Sequence, residues 1–387
     1  MGRLASSLTR FTAVGYAGRM SDSLTPADLR VWAVTGSLGP KQALQSVLDR
    51  LGFVQADPIR APARAQDLIL MQRVTDYRAG DLERLYPELD VEEDYFPNYG
   101  FVSRPVWSLL HPRAARPWRI EQQAPGLMEQ VLAHVRERGE LHPREAGEVF
   151  GRTRVGNAWG GGSNAATRAL EALHRSGHLR IVRRESGIKV YAPARPHPGP
   201  QDSAGRLRAL VMVLARLYAP ASESGLRLLV GLSQSDMPGA LAEARAALKL
   251  AVQEGALTRA VVDGAAYLYP TGEAPSGEVR PELRLVAPFD PLTWDRRRFE
   301  LLHGWTYRFE AYTPAPKRQL GYYALPLFWN ERALGWANLK VTGGVLTAEV
   351  STLPGLRRTA AFTRALNAEL ERHRAFLGAA EVGLTLG

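Results

Sequence analysis

Between residues 125 and 193 the hydrophobic pattern changes period in an order that few folds accommodate. Pro125 to Arg138 spaces its apolar residues as an amphipathic helix, His142 to Phe150 as a second, and Ser163 to Ser176 as a third, capped by Ser163 and closed by Gly177. The residues that follow, LRIVRRESGIKVYAP, alternate on either side of Glu-Ser-Gly and make a hairpin with glycine in its turn. Three helices and a hairpin are the parts of a winged helix-turn-helix, whose third helix can enter a groove while the wing touches the nucleic-acid backbone. A module of this kind can also serve only as a packing scaffold. The order returns in shorter form downstream, where GRLRALVMVLARLYA and MPGALAEARAALKLAVQEG lead into ALTRAVVDGAAYLYP with Gly264 in the turn.

The rest of the chain divides around these repeats. TPADLRVWAV starts a helix at Pro26 behind Thr25, and KQALQSVLDRLG a second that stops at Gly52. Two prolines and several small or β-branched residues then make FVQADPIRAPAR an extended path. Past the linkers ARPHPGPQDSAG and GEAPSGEVRPE the period becomes two. YRFEAYTP, GYYALPLFW, ALGWANLKV and GVLTAEVST read as strands of a small antiparallel barrel or sheet, followed by a basic helix from about Leu356 to Leu377. Residues 1–22, with arginine and serine and almost no acid, read as a leader.

Charge and composition set the classes of partner. The 387 residues hold 49 Lys plus Arg against 39 Asp plus Glu, a net +10, which favours a polyanion. Only five of those cations are lysine, an arginine excess that a GC-rich genome also produces. The densest basic field covers 151–195, where Arg152, Arg154, Arg168, Arg175, Arg180, Arg183, Arg184, Lys189 and Arg195 face only Glu171 and Glu185. The acidic counterpart is 81–94, with Asp81, Glu83, Glu88, Asp90, Glu92, Glu93 and Asp94 against Arg84, read as a solvated face or loop. Absence of cysteine removes disulfides, thiolate metal sites and cysteine nucleophiles. His174 and His178 have the spacing of a zinc pair, but Gly177 ends the helix between them, so no metal is expected there. No apolar run reaches membrane-spanning length, and the expectation is a soluble, cytoplasmic protein, taken as a monomer, with no membrane partner.

One pair of residues could carry chemistry. Gln55 and Asp57 stand two apart in the extended run and so share a face, about 6.6 Å apart at 3.3 Å per residue, and Pro58 holds Asp57 out of the helical region. A polar pair on a strand edge is more often structural than catalytic. Two longer segments decide: LGFVQADPIRAPARAQDLILMQRVTDY and APFDPLTWDRRRFELLHGWTYRFEAYTPAPKRQLGYYALPL resemble the YcaQ/AlkZ family of bacterial DNA glycosylases, with similarity from about residue 24 to the C-terminus.

The resemblance implies an α+β chain of tandem winged-helix (helix-turn-helix) modules followed by a C-terminal antiparallel β-barrel. The modules would be 23–118, 119–195 and 201–272, and the barrel with its helix 281–387. Gln55-Ala56-Asp57 matches the family's active-site motif in its YcaQ-like form, which implies hydrolysis of the N-glycosidic bond of N7-alkylated purines, interstrand crosslinks included. Arg64, Gln66, Arg168, Arg175, Arg183, Lys317, Arg318 and Gln319 are the expected DNA-binding residues, and the partner is duplex DNA bearing alkylated purines or crosslinks. Two departures stand out. Phe96-Pro97-Asn98-Tyr99-Gly100 replaces a Trp-Ala-His-Glu-Ala-like segment, and Gln66 stands where the family often has histidine.

An N7-alkylpurine is already cationic, so it leaves without a general acid, and the burden falls on the oxocarbenium-like sugar. Asp57 would stabilise that cation and orient water, with Gln55 holding the same water or a sugar oxygen. No lysine follows the motif within fifteen residues, so a monofunctional, cofactor-free route is expected over a Schiff base. Lys317, Arg318 and Gln319 fall beyond Pro314 and Pro316 in a protruding loop able to reach phosphates, with Tyr312 and Tyr322 packed in the barrel. A transcription regulator without catalytic activity would share the modules and the basic field. It would gain nothing from a carboxylate facing phosphates. A catalytically silent scaffold or self-resistance protein is a third reading.

Overall fold

Thr25 caps the first helix, α1 (Pro26–Ser37), by accepting the Asp28 amide while the Asp28 carboxylate accepts the Thr25 amide, a reciprocal pair that proline at the first turn leaves undisturbed. The computed structural model describes residues 24–111, 113, 117–156, 162–195, 202–233, 240–273 and 279–386. The expected leader lies outside them. After α2 (Leu44–Leu51) comes β1 (Phe53–Gln55), then α3 (Ala65–Met71), the short α4 (Asp81–Leu85), a hairpin of β2 (Val91–Tyr95) and β3 (Tyr99–Ser103), and α5 (Arg104–Leu110). The three strands form an antiparallel sheet in the order β1-β3-β2.

The second stretch holds α6 (Arg119–Gln123), α7 (Leu127–Arg138), α8 (Pro143–Val149), a ribbon of β4 (Arg154–Gly156) and β5 (Gly162–Asn164), α9 (Ala165–Arg175), and the hairpin β6 (Leu179–Glu185) and β7 (Ile188–Pro193). The helices and hairpin stand in the order read from the sequence. The cap of α9 is Asn164 and not Ser163, which is in β5. The Asn164 carbonyl reaches the amides of Ala166 and Thr167 from the position one residue nearer the helix.

The third stretch repeats the order with three helices, one more than expected: α10 (Ser203–Leu217), β8 (Ala221–Ser222), α11 (Glu223–Ser233), α12 (Ala240–Gln253), then β9 (Leu257–Val262) and β10 (Ala265–Pro270). The helix missed in sequence, α11, buries Leu226, Leu229 and Val230, a helical spacing inside a short serine-flanked run. Both hairpins turn through two residues at positive φ, Ser186-Gly187 and Asp263-Gly264, as the twist of the flanking strands requires.

The C-terminal part contains β11 (Leu283–Leu285), α13 (Arg296–His303), β12 (Leu325–Trp329), β13 (Arg332–Thr342), β14 (Val345–Thr352), α14 (Ala360–Leu377) and β15 (Glu381–Leu386). Among the described residues it is an open five-stranded sheet in sequence order, not a closed barrel, and it is mixed: β14 and β15 run parallel because α14 carries the chain back between them. The run YRFEAYTP is not a strand. Its alternation comes from Tyr307 and Phe309 packing inward, while the Glu310 carboxylate accepts the amides of Gln319, Leu320 and Gly321 and ties the segment into a loop. No helix among the described residues is long and apolar enough to cross a membrane.

The acidic run is solvated only in its first part. Glu88 and Asp90 are exposed, but Glu92, Glu93 and Asp94 on β2 are buried against basic side chains. Glu92 takes the Arg180 Nε at 3.0 Å and Arg104 at 2.8 Å, Glu93 takes Arg184 at 2.5 Å, and Asp94 takes Arg113 at 2.8 Å with His111 at 2.9 Å. Opposite charges that are far apart in sequence thus neutralise each other in one interface.

A second buried pair fastens the C-terminal sheet. Arg73 and Asp290, both with 0% side-chain exposure, form a bidentate contact at 2.6 and 2.9 Å. The remaining guanidinium donors reach the Ser37 carbonyl and hydroxyl and the Ile69 carbonyl. Removing one partner strands a buried charge, so Asp290→Ala is expected to lower unfolding free energy by about 3–5 kcal/mol, read by urea denaturation. The double change Arg73→Met with Asp290→Leu should lose much less. Equal losses would show that packing, not charge pairing, holds the joint.

Candidate active site

Strand β1 delivers Gln55 at its end, and the partner strand fits over it through a glycine. Gly100 lies opposite Gln55, where an added Cβ would stand 2.3 Å from the Val54 carbonyl oxygen, so no larger residue can close this pair. The Ala56 amide continues the pairing to the Tyr99 carbonyl at 3.0 Å. At the hairpin tip the Asn98 Nδ2 donates to Gln55 Oε1 at 3.3 Å. Asp57 lies just past the strand: its amide donates to Gln66 Oε1 at 3.2 Å, and its Oδ1 accepts the Ile59 amide at 2.9 Å. Asn98, from the segment that departs from the resembled family, and Gln66, the other departure, therefore both touch the motif.

Asp57 is half-buried. Burial raises its pKa above the ordinary 3.8, and the Ile59 amide only partly offsets this. The buried acids Glu92, Glu93, Asp94, Asp290 and Glu369 pair with arginine, while the buried Asp67, Asp295 and Glu310 are held by hydrogen bonds alone; half-buried Asp57 likewise has no ion-pair partner among the described residues and accepts only the Ile59 amide. Its Oδ2 takes no hydrogen bond from them either. Lys41, the nearest lysine before the motif, interacts electrostatically with Arg284, Arg372 and Glu369. Across from the motif, the charge of Asp57 acts on Tyr323, just ahead of β12, and Arg296 lies over the Tyr307 ring at 4.5 Å. The described residues contain no group of three or more His, Asp or Glu placed to hold a metal ion.

The expected DNA-binding residues are spread more widely. Gln66 is buried on Asp57, and Arg64 pairs with Glu83. Arg168 pairs with Glu171 at 2.5 Å, Arg175 covers the Tyr95 ring at 3.8 Å, and the exposed Arg183 pairs with Glu140 and Glu185. Lys317 ends a 3₁₀ turn on the surface; Arg318 donates to the Thr313 carbonyl at 2.8 Å and lies over Tyr322; Gln319 is exposed. The tyrosines beside them do not pack inside a barrel: Tyr312 is 83% exposed and Tyr322 43%. In the sequence Tyr323 sits in an aromatic run and gives no polar signal, and Asn98 shows only as a departure from the resembled pattern.

A family model described as "DNA glycosylase AlkZ-like" matches residues 48–376. A solved structure, the Streptomyces sahachiroi DNA glycosylase AlkZ, is similar at a TM-score of 0.61 and 13% identity, covering 95% of this chain and 100% of that one. At that identity the structural likeness speaks for the fold, and the family match for the activity.

Burying Asp57 without a cation has a thermodynamic sign. A carboxyl whose folded pKa is raised contributes stability fully present below its unfolded pKa and lost as pH rises through the folded one. Asp57→Asn is therefore expected to melt level with the wild type below about pH 4 and at a higher temperature at neutral pH. Thermal melts of both proteins across that range check it. A variant less stable at neutral pH would mean the carboxylate is compensated in the fold.

Proposed function

The chain belongs to the AlkZ-like DNA glycosylase family, and on that premise we propose that it releases N7-alkylated purines from duplex DNA, interstrand crosslinks included, by a monofunctional route with water as nucleophile. Family membership makes it a DNA repair enzyme and displaces the regulator reading. The observation that carries the finer reading is the carboxylate of Asp57, half-buried beside Gln55 and without a cation of its own. Such a group is held ready for a positive charge that arrives with the substrate. An N7-alkylpurine nucleotide brings one on the base, and bond breaking moves it to the sugar.

As the C1′–N9 bond breaks, its electron pair leaves with the purine, whose positive charge is thereby cancelled. The cation left at C1′ faces Asp57, whose attraction in a partly dry site exceeds that in water. Water then forms the new C1′–O bond, and one of its protons passes to the Asp57 carboxylate. Gln55 Oε1 receives Asn98 on one side and has a second lone pair for that water. The raised Asp57 pKa gives a better proton acceptor than an exposed carboxylate.

The proposed winged-helix modules would carry the duplex, with α9 as groove helix and β6–β7 as wing, and the loop bearing Lys317, Arg318 and Gln319 would hold phosphates across the site. Asp57→Asn is expected to abolish base release from N7-methylguanine duplex, revealed as alkali-labile sites, with DNA affinity nearly unchanged. Gln55→Ala should lose less, since it removes positioning and not charge. Full activity in Asp57→Asn would sink the assignment.

The loop separates anchoring from wedging. If Lys317 and Arg318 hold two phosphates, changing both to Ala lowers the logarithmic salt slope of binding by about 1.8, with saturating single-turnover rates falling less than affinity. A wedge that exposes the lesion predicts the reverse, a sharp loss of saturating rate at nearly constant affinity.

A further inference from the structure

Tyr323 lies just ahead of β12, within reach of the charge of Asp57. Its side chain is 2% exposed, and its ring meets Phe309 edge-on at 5.4 Å. Nearby, the buried Tyr307 donates its hydroxyl to the Ala324 carbonyl at 2.7 Å; Tyr77 and Tyr86 likewise bond to Asp67 and to the Ile181 carbonyl. Tyr323 differs. Its Oη is the one buried tyrosine hydroxyl among the described residues with no hydrogen-bond partner. A buried hydroxyl left unmatched by the fold calls for an explanation outside it, and a bound water or ligand atom is the usual one.

Its surroundings say which. The joint made by Arg73 and Asp290 fixes the loop after β11 to the end of α3, and α3 carries the Gln66 that holds the Asp57 amide. The aromatic cluster of Phe289, Phe309 and Tyr323 begins at the residue next to Asp290 in that joint. Burial first, and then the charge of Asp57, push the Tyr323 phenol to a higher pKa, ahead of the effects of Tyr307 and Tyr312. Of the charged groups around the phenol, Asp57 acts on it most strongly. The phenol therefore keeps its proton throughout the working range and is available as a donor.

We propose that Tyr323 is a positioning residue for the glycosylase reaction, its buried hydroxyl donating a hydrogen bond to the water that Asp57 activates. The water would accept from Tyr323 with one lone pair, donate one proton to Asp57, and present its second lone pair to C1′. When the C1′–O bond forms, the C1′–N9 pair has left with the base and the transferred proton resides on Asp57. Tyr323 neither gains nor loses a proton. This inference rests on the reading of Asp57 given above, and its test keeps the two apart.

Tyr323→Phe removes the oxygen and keeps the ring against Phe309. Wild type, Tyr323→Phe and Asp57→Asn are compared on duplex containing N7-methylguanine, with single-turnover rates at saturating enzyme across pH, duplex affinity by anisotropy, and thermal melts. In Tyr323→Phe the rate is expected to fall on the order of 10-fold to 100-fold, with affinity within about twofold and the melting temperature unchanged or higher, because an unpaired buried hydroxyl has gone. The acid limb of its pH profile should move to higher pH, since the ionised Asp57 loses a donor that favours it through the shared water. Wild-type rate and wild-type acid limb in Tyr323→Phe, with Asp57→Asn inert, would overturn this inference and leave the reading of Asp57 standing. A rate lost together with the melting temperature would overturn it as well, because that marks a packing role. An active Asp57→Asn, or a wild type that releases no base, would remove both.

Discussion

Arg73 and Asp290 set the relation between the two halves of the site. Arg73 uses all five of its donors: two on Asp290, one each on the Ser37 carbonyl and hydroxyl, and one on the Ile69 carbonyl. A guanidinium so completely matched can be removed from water, because every proton finds an acceptor at fixed geometry. The neighbouring Gln72 adds a second line of attachment, donating to the Leu285 carbonyl and to Glu369 on α14. Ser37 ends α1, Ile69 is on α3, Leu285 ends β11 and Asp290 follows it, so four segments share one joint. This joint and the Gln72 attachment help to fix the relation of Asp57 to Tyr323, 266 positions apart in sequence.

A second interface performs the same task between the β2–β3 hairpin and the stretch from α9 to β7. Burial by itself would raise the Asp94 carboxyl, but Arg113 and the hydrogen bond to His111 reverse this and hold it well below the usual carboxylate range. His174, driven down to about 4 by burial, stays neutral and reaches the Glu93 carbonyl at 2.7 Å. The hairpin is thus clamped on one flank by the helix and wing proposed to meet DNA, and on its tip carries the Asn98 that holds Gln55. Part of the basic field read from the sequence is consumed here: Arg180 and Arg184 neutralise Glu92 and Glu93, and Lys189 lies over the Tyr99 ring at 4.2 Å.

What the sequence made legible was local. The helices around Pro26, Leu127 and Ala165 announce themselves by caps and by period, and both glycine-turned hairpins by the residues that must take positive φ. Gln55 and Asp57 were legible as residues, and their neighbours Asn98 and Gln66 as departures from a resembled pattern. Partners distant in sequence were not. Periodicity cannot tell that Glu92 to Asp94 face inward, because three consecutive acids read as solvent-facing until the arginines opposite are known. It also mistook Tyr307 to Pro314 for a strand, since alternating burial arises equally when a loop is tied by a buried carboxylate such as Glu310. The open edge of the C-terminal sheet was hidden for a related reason: whether the outer strands meet depends on α14, not on the strand sequences.

The two departures now acquire a physical meaning. Histidine, which the resembled family often has at the place of Gln66 and commonly within the segment replaced around Asn98, can hold a positive charge at and below its ordinary pKa near 6.5. Either imidazolium beside the motif would compensate Asp57, lowering its pKa and weakening its attraction for any other cation. Amides donate and accept as imidazole does but never ionise, so they keep the positioning and remove the competing charge. Asn98 donates to Gln55 Oε1, Gln66 Oε1 accepts the Asp57 amide, and neither bonds to the Asp57 carboxylate itself. Among the described residues no cation pairs with Asp57. The fold carries that charge at a cost in stability, and on the proposed reading the group that would relieve it is the cation that develops as the glycosidic bond breaks.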